Sequence, residues 1–171
     1  MKIISFASGP GAGKSTTAAG LFFKMKMAGY KCELVPEYAK DLTFEGRHVT
    51  LSNQVYILGK QYNRVERLRN QVDWVITDSP IILGCMYAPV NYPESFTQLV
   101  IDLWNQNENH LFFVNRKKAY QAYGRSQTED EAKEIDQKVK GFLNLKNINF
   151  HEIDGTPEAP DTIGKILGLN L

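Results

Sequence analysis

Short apolar runs alternate along the chain with longer stretches whose apolar residues recur every three or four positions. Lys2 to Ala7 is the first such run and reads as a strand. A glycine-rich loop follows, then a helical pattern from about Lys14 to Ala28 that Gly29 stops. Cys32 to Val35 is a second short strand, closed by Pro36. Between Leu51 and Gln71, the residues Val55, Leu58, Tyr62, Val65 and Leu68 keep helical spacing and predict one long amphipathic helix. Trp74 to Thr77 is the third strand and runs into Asp78-Ser79-Pro80. Ser95-x-x-Gln98 has the form of a capping box, for a helix with Phe96, Leu99, Val100, Leu103 and Trp104 on its apolar face. His110 to Val114 gives the fourth strand. Thr128-x-x-Glu131 caps the next helix, with Ile135, Val139, Phe142 and Leu143 turned inward. Asn147 to Ile153 is the fifth strand, and Thr162 to Leu167 a short last helix. Strands that alternate with helices form βαβ units, so the predicted fold is a three-layer α/β/α domain around a five-stranded, mostly parallel sheet.

Composition acts mainly by exclusion. At 171 residues with 43% hydrophobic content and a formal net charge of +1, the chain is sized for one domain spanning residues 1–171 and is neither disordered nor broadly basic. No apolar run reaches the ~20 residues that a membrane helix requires, and the stretch from Ile3 to Ala7 is too short for a signal peptide. No membrane partner is expected. Cys32 and Cys85 stand far apart with no C-x-x-C, which points to reduced thiols and a cytoplasmic setting. His48, His110 and His151 are scattered and offer no zinc-ligand pair.

The chemistry begins at Ser8-Gly9-Pro10-Gly11-Ala12-Gly13-Lys14-Ser15-Thr16. This segment lies after a strand and opens a helix, where a phosphate-binding loop belongs. Glycines let successive backbone N–H groups curl around phosphate oxygens, and the helix N-terminus adds its positive end. Gly9, Gly11, Ala12, Gly13, Lys14, Ser15 and Thr16 are therefore the nucleotide-binding candidates. Lys14 would reach the β- and γ-phosphates and Ser15 would ligate Mg²⁺. Ser8 stands where the motif has glycine, a small replacement that calls for a slightly different backbone at the strand exit.

A phosphate loop implies a nucleoside triphosphate, here ATP, but not a reaction. A GTPase would carry D-x-x-G after the third strand and N-K-x-D later. Here Asp78 is followed by Ser-Pro-Ile and Asn115 by Arg-Lys-Lys, so neither signature is present. A motor or helicase needs more chain than this. A small-molecule kinase fits the length.

Two carboxylates close strands at the expected end of the sheet. Asp78 would hold Mg²⁺ or orient an acceptor hydroxyl. Glu37, after Val35-Pro36, is a candidate base for that hydroxyl, with Asp41 one helical turn beyond as an alternative. Residues 115–128 carry Arg116, Lys117, Lys118 and Arg125 without an acid and suit a lid over the triphosphate. Arg116 and Arg125 are the catalytic candidates there, and the two lysines read as surface charges. Gln54, Gln61 and Arg64 form a polar stripe beside the apolar face of the long helix, suited to an acceptor or simply to solvent. Phe44, Tyr87 and Tyr92 sit in loops, where core packing is the first expectation and stacking on a base the second. Asp154-Gly155-Thr156-Pro157 follows strand five, a position that can cradle adenine.

With these residues in place, the chain resembles the small P-loop kinases of nucleoside and nucleotide metabolism. Val35-Pro36-Glu37-Tyr38, the helix with Gln61 and Arg64, Thr77-Asp78-Ser79-Pro80 and Gly124-Arg125-Ser126-Gln127-Thr128 resemble the ribosylnicotinamide-kinase-like group, including phage-encoded nucleotide kinases described as AAA-type ATPases. The resemblance implies a sheet order of 2-3-1-4-5, which would set Glu37 and Asp78 together beside Ser15. It also implies that the carboxylate after strand two contacts the acceptor and that the lid arginines contact phosphates. One phage branch of this pattern phosphorylates 5-hydroxymethyluracil within DNA, which would place such a protein in the host cytoplasm.

Lys60, Arg64, Arg67 and Arg69 on the long helix would suit a polyanionic acceptor. Acidic residues concentrate elsewhere, from Glu129 to Asp136 and toward the C-terminus, which leaves room for a one-sided basic face. The expectation is thus an ATP- and Mg²⁺-dependent kinase of a nucleoside-type small molecule or of a modified base in DNA, as monomer or homodimer. A nucleotide-gated ATPase module, or a kinase of another small metabolite, are the alternatives.

Overall fold

Strands buried on both faces must be apolar at nearly every position; the runs Ile3–Ala7, Trp74–Thr77 and Leu111–Val114 come near this, whereas Cys32–Val35 and His151–Asp154 at the sheet edges carry Glu33, His151, Glu152 and Asp154. The computed structural model describes residues 1–121 and 128–171. In it β1 (Lys2–Ala7), β2 (Cys32–Val35), β3 (Trp74–Thr77), β4 (Glu108–Asn115) and β5 (His151–Asp154) form one sheet of order β2-β3-β1-β4-β5. Every neighbouring pair is parallel. The three-layer α/β/α fold and its strand order are those the sequence and its resemblance implied.

Alternate residues of each strand feed opposite layers. Ile4, Phe6, Ile76, Phe112 and Val114 pack against α1 (Lys14–Met27) and α8 (Ala159–Leu167) through Ala18, Leu21, Met25 and Ile163. Ala7, Leu111 and Phe113 face α4 (Gln54–Glu66), α6 (Glu94–Asn105) and α7 (Glu129–Leu145) through Leu58, Phe96, Val100, Val139 and Leu143. At the β2 edge, Ile3, Val35 and Val75 close over Val65 of α4.

The helical boundaries depart from the pattern in several places. The predicted Leu51–Gln71 helix is split, because the Asn53 side chain accepts the Tyr56 N–H at 3.1 Å and starts α4 afresh. Before it come α2 (Tyr38–Phe44) and the single-turn α3 (His48–Leu51), neither anticipated. Only Leu42 of α2 and no residue of α3 is buried, so they carry almost no periodicity to read. A 3₁₀ turn (Ile81–Leu83) runs into the short α5 (Gly84–Tyr87). The Ser95–Gln98 capping box does not form: Pro93 is the N-cap of α6, and Gln98 donates instead to Asp102 at 2.8 Å. The Thr128–Glu131 box does form, with Thr128 N–H donating to Glu131 at 2.7 Å. Strand β4 starts earlier than predicted, β5 starts later, and α8 starts at Ala159 because Pro160 is tolerated in a first turn.

All five strands end on one side of the sheet, where Ser8, Pro36, Asp78, Arg116 and Gly155 follow them. Since β1 connects onward to one side and is flanked by β3 and β4, ligands are expected at these carboxyl ends.

Candidate active site

The glycine loop owes its course to two left-handed residues, Gly11 at φ 83° and Gly13 at φ 110°. Gly13 caps α1, so the helix opens with Lys14. Lys14 Nζ folds back and donates to the carbonyls of Ser8 at 2.8 Å and Gly9 at 3.0 Å, which ties the start of the loop to its end. Burial lowers the pKa of the lysine, against the pull of Glu37, Asp78 and Asp136, while Arg116 lowers it further. Ser8 is buried and needs no left-handed backbone, so serine serves where the motif has glycine. Ala12 is buried beneath the loop, whereas Ser15 and Thr16 face outward. Gly155 presses on the same loop: a Cβ there would stand 2.5 Å from the Ala12 carbonyl oxygen. The β5–α8 turn that the sequence marked thus forms one wall of the loop.

Asp78 joins the loop to β2. One carboxylate oxygen accepts the Ser15 hydroxyl, and the other accepts the Glu37 backbone N–H at 3.0 Å. Glu37 is the N-cap residue of α2, without a side-chain cap bond, so its carboxylate is free of that duty. Burial pushes its pKa up; Lys14 opposes, Asp78 adds to the rise, Lys40 opposes and Asp41 adds. Asp41 is engaged elsewhere, in an ion pair with Arg64 at 2.6 Å.

The polar stripe on α4 is committed to structure. Gln61 is buried, accepts the Tyr38 N–H at 2.9 Å, and donates to Pro36 O at 3.4 Å and Thr77 Oγ1 at 3.5 Å. Arg64 donates to Pro36 O at 3.3 Å and lies over the Tyr38 ring. Together they hold the β2–α2 turn that presents Glu37. Gln54 is buried as well, and its N–H donates to the Tyr92 hydroxyl at 3.0 Å. Tyr92 packs edge-on against Phe96, as core packing would have it. Phe44 and Tyr87 do not follow that expectation, being 61% and 51% exposed.

The opposite wall comes from β4, α5 and α7. Arg116 is nearly buried and pairs with Asp136 through Nε at 3.2 Å and Nη2 at 3.0 Å. The other oxygen of Asp136 accepts the Gly9 N–H at 2.5 Å. Asp136 therefore belongs to the site, although the sequence placed the 129–136 acids away from it. Its signal lay in the pattern: it sits on the stripe of Ala132, Val139 and Leu143, all buried, where a carboxylate is out of place. Tyr87, on α5, is half exposed as a residue, yet burial around its hydroxyl, with the Glu37 and Asp136 carboxylates, pushes its phenol up to about 12. The sequence offered it as a ring for core packing or for stacking on a base, not as a hydroxyl near these carboxylates. Lys117 pairs with Asp154 at the surface and Lys118 is exposed, as expected. Arg125 lies outside the described residues.

The basic face is partly neutralised. Arg69 is held by Glu66 and Arg64 by Asp41, while Lys60 and Arg67 are exposed.

The Ser15 hydroxyl and the Asp78 carboxylate, already in contact, form a hard-oxygen pair suited to Mg²⁺. Among the described residues no group of three His, Cys, Asp or Glu side chains gathers to make an all-protein cage. Mg²⁺ takes one or two protein oxygens and completes its shell with phosphate and water. Both cysteines are free thiols, and no described helix is long and apolar enough to cross a membrane.

Comparison with known proteins agrees with this fold. A protein-family profile described as "AAA domain" matches residues 4–159. The structure of deoxyadenosine kinase from M. mycoides with bound dATP is similar at a TM-score of 0.56 and 20% sequence identity, covering 98% of this chain and 100% of that one. At this identity the likeness is one of fold. No curated protein matches the chain by sequence.

Proposed function

The chain belongs to the AAA-domain family, and from that premise we propose that it is an ATP-dependent phosphotransferase acting on the hydroxyl of a nucleoside-type acceptor. The observation that carries the reading is Asp78 gripping both Ser15 and the Glu37 backbone. It sets the half-buried Glu37, whose carboxyl is raised in pKa chiefly by desolvation, across from the phosphate loop and Lys14. A second carboxyl at that point suits a base that takes the proton of an attacking hydroxyl. The structural likeness to a deoxyadenosine kinase supports the same class of acceptor.

In this reading the loop amides and Lys14 hold the triphosphate, and Gly155 with its turn borders the nucleoside end. Ser15 and Asp78 would hold Mg²⁺, which would neutralise negative charge on the phosphates. The Glu37 carboxylate accepts the proton of the acceptor hydroxyl. The acceptor oxygen bonds to the γ-phosphorus, the bond to the β–γ bridging oxygen breaks, and ADP leaves with that electron pair. Lys14 and Arg116, with Arg125 proposed from sequence alone, face the charge that spreads over the transferring group. Tyr87, protonated at neutral pH, is a donor for the acceptor.

A second acceptor reading has its own support. Rings and cations alternate beside Glu37, Lys40 over the exposed Phe44, Arg64 over the half-buried Tyr38 and Lys60 over the half-buried Tyr56, although Arg64 is also paired with Asp41. Such a surface stacks bases and follows a phosphate backbone, and suits a hydroxymethyl-pyrimidine within DNA.

The test is transfer of labelled γ-phosphate to nucleosides, nucleoside monophosphates, nicotinamide riboside, plain DNA and DNA carrying hydroxymethyl-pyrimidines. Label in one free nucleoside-type compound supports the first reading, and label in modified DNA alone supports the second. Phosphate release with no labelled acceptor would overturn both in favour of a nucleotide-gated module.

A further inference from the structure

Asp136 accepts three hydrogen bonds from outside its own helix. Its Oδ1 accepts the Gly9 N–H at 2.5 Å, and its Oδ2 receives Nε and Nη2 of Arg116 at 3.2 and 3.0 Å. Both partners are shielded from water, with the Arg116 and Asp136 side chains 9% and 14% exposed. In such surroundings an ion pair is favourable only when its geometry is well satisfied, and here one guanidinium nitrogen is left over. Arg116 Nη1 is buried with no partner among the described residues. A buried guanidinium donor without an acceptor is costly and points to an anion that arrives later. Through Asp136 the guanidinium is tied to Gly9 of the phosphate loop, and it stands close enough to Lys14 to lower its pKa.

The backbone has been shaped to permit the bridge. A Cβ on Gly9 would stand 2.4 Å from the Ala132 carbonyl oxygen and 2.9 Å from Asp136 Oδ1. Only glycine lets the first turns of α7 come this near. The helix is anchored there by its capping box and by the buried Ala132, Val139 and Leu143.

We propose that Asp136 is a positioning residue that locks Arg116 to the phosphate-binding loop, so that Nη1 is held ready for the terminal phosphate of the bound triphosphate. The proposal rests on the phosphotransferase reading for its ligand but not for its acceptor. Two of the guanidinium's three nitrogens are spent on orientation, and the third is left for the ligand.

The test measures nucleotide affinity by calorimetry, with a non-hydrolysable ATP analogue and with ADP, and requires no acceptor. Asp136→Asn keeps an oxygen for Gly9 but turns an amide donor toward Arg116. Its affinity for the ATP analogue should fall about tenfold, the scale of one charge-assisted hydrogen bond, with ADP affinity nearly unchanged. Arg116→Ala should do the same, and the double variant should lose no more than Arg116→Ala alone. Asp136→Glu, which keeps the charge but shifts it, should show the same selective loss and serves if the Asn variant fails to fold. Equal losses for both nucleotides, no loss, or an undiminished loss in the Arg116→Ala background would overturn the proposal. Wild-type protein that bound neither nucleotide would instead overturn the functional reading, a separate and recognisable result.

Discussion

Asp78 accepts the backbone N–H of Glu37 at 3.0 Å while its second oxygen holds the Ser15 hydroxyl, so one buried side chain fixes the spacing between acceptor side and phosphate side. Neither bond is replaceable by solvent without moving the β2–α2 turn. Asp78→Ala leaves a backbone donor unpaired in a partly buried place, at a cost of about 1–3 kcal/mol. Asp78→Asn keeps an oxygen for Glu37 and should recover most of that stability, but not the negative charge. Thermal unfolding is expected to separate the two variants, while both remain deficient in phosphoryl transfer.

Lys14 serves the loop twice, through the Ser8 and Gly9 carbonyls and through the phosphates it would meet. Lys14→Ala should lower turnover by about 10³-fold or more, the scale of a lost electrostatic contact to a transferring phosphoryl group. Circular dichroism should show the fold retained. Turnover close to wild type in a folded variant would contradict the assignment.

Glu37 links pH to both stability and rate. Its folded pKa is raised, chiefly by burial, so between the unfolded value near ~4.3 and the folded value the native state holds a proton that the unfolded chain has lost. Stability then falls as pH rises through that window. Glu37→Gln removes the effect, and should melt higher than wild type at neutral pH by a margin that vanishes in acid. Transfer by wild type should rise with pH as Glu37 ionises, and this limb should be missing from the Gln variant. A margin that stayed constant across the pH range would contradict a raised Glu37 pKa.

Gly155 has no room for a side chain, since a Cβ would overlap the Ala12 carbonyl at 2.5 Å and crowd Val114 at 3.0 Å. Gly155→Ala should cost about 1–3 kcal/mol of stability by overpacking, and should weaken nucleotide binding because the contact it displaces is the loop itself. Unaltered affinity for ADP would show that this turn does not border the nucleotide.

The strands and the phosphate loop were legible because each writes its own local pattern. Ile3 to Ala7 is apolar but for Ser5, and the Gly13-Lys14-Ser15 register declares itself wherever a helix follows a strand. The spacing of Glu37 and Asp78 needed the sheet order, which no local pattern contains; the resemblance provided it. Gln61 and Arg64 looked like ligand contacts because polar residues beside an apolar stripe suit either role. Only the three-dimensional turn at Pro36 shows both committed to holding the backbone. Asp136 was passed over for the opposite reason. Read among Glu129, Asp130 and Glu131 it is one acid in a charged run, and read against Ala132, Val139 and Leu143 it is a carboxylate on a buried stripe.

The central claim is that a triphosphate bound here gives its γ-phosphoryl group to an acceptor hydroxyl rather than to water. The most direct measurement is a single-turnover experiment that follows labelled γ-phosphate into acceptor and into free phosphate, with wild type and Glu37→Gln side by side. Label should pass to the acceptor in wild type, and that flux should collapse in Glu37→Gln. Label reaching only free phosphate, at the same rate in both proteins, would contradict the account.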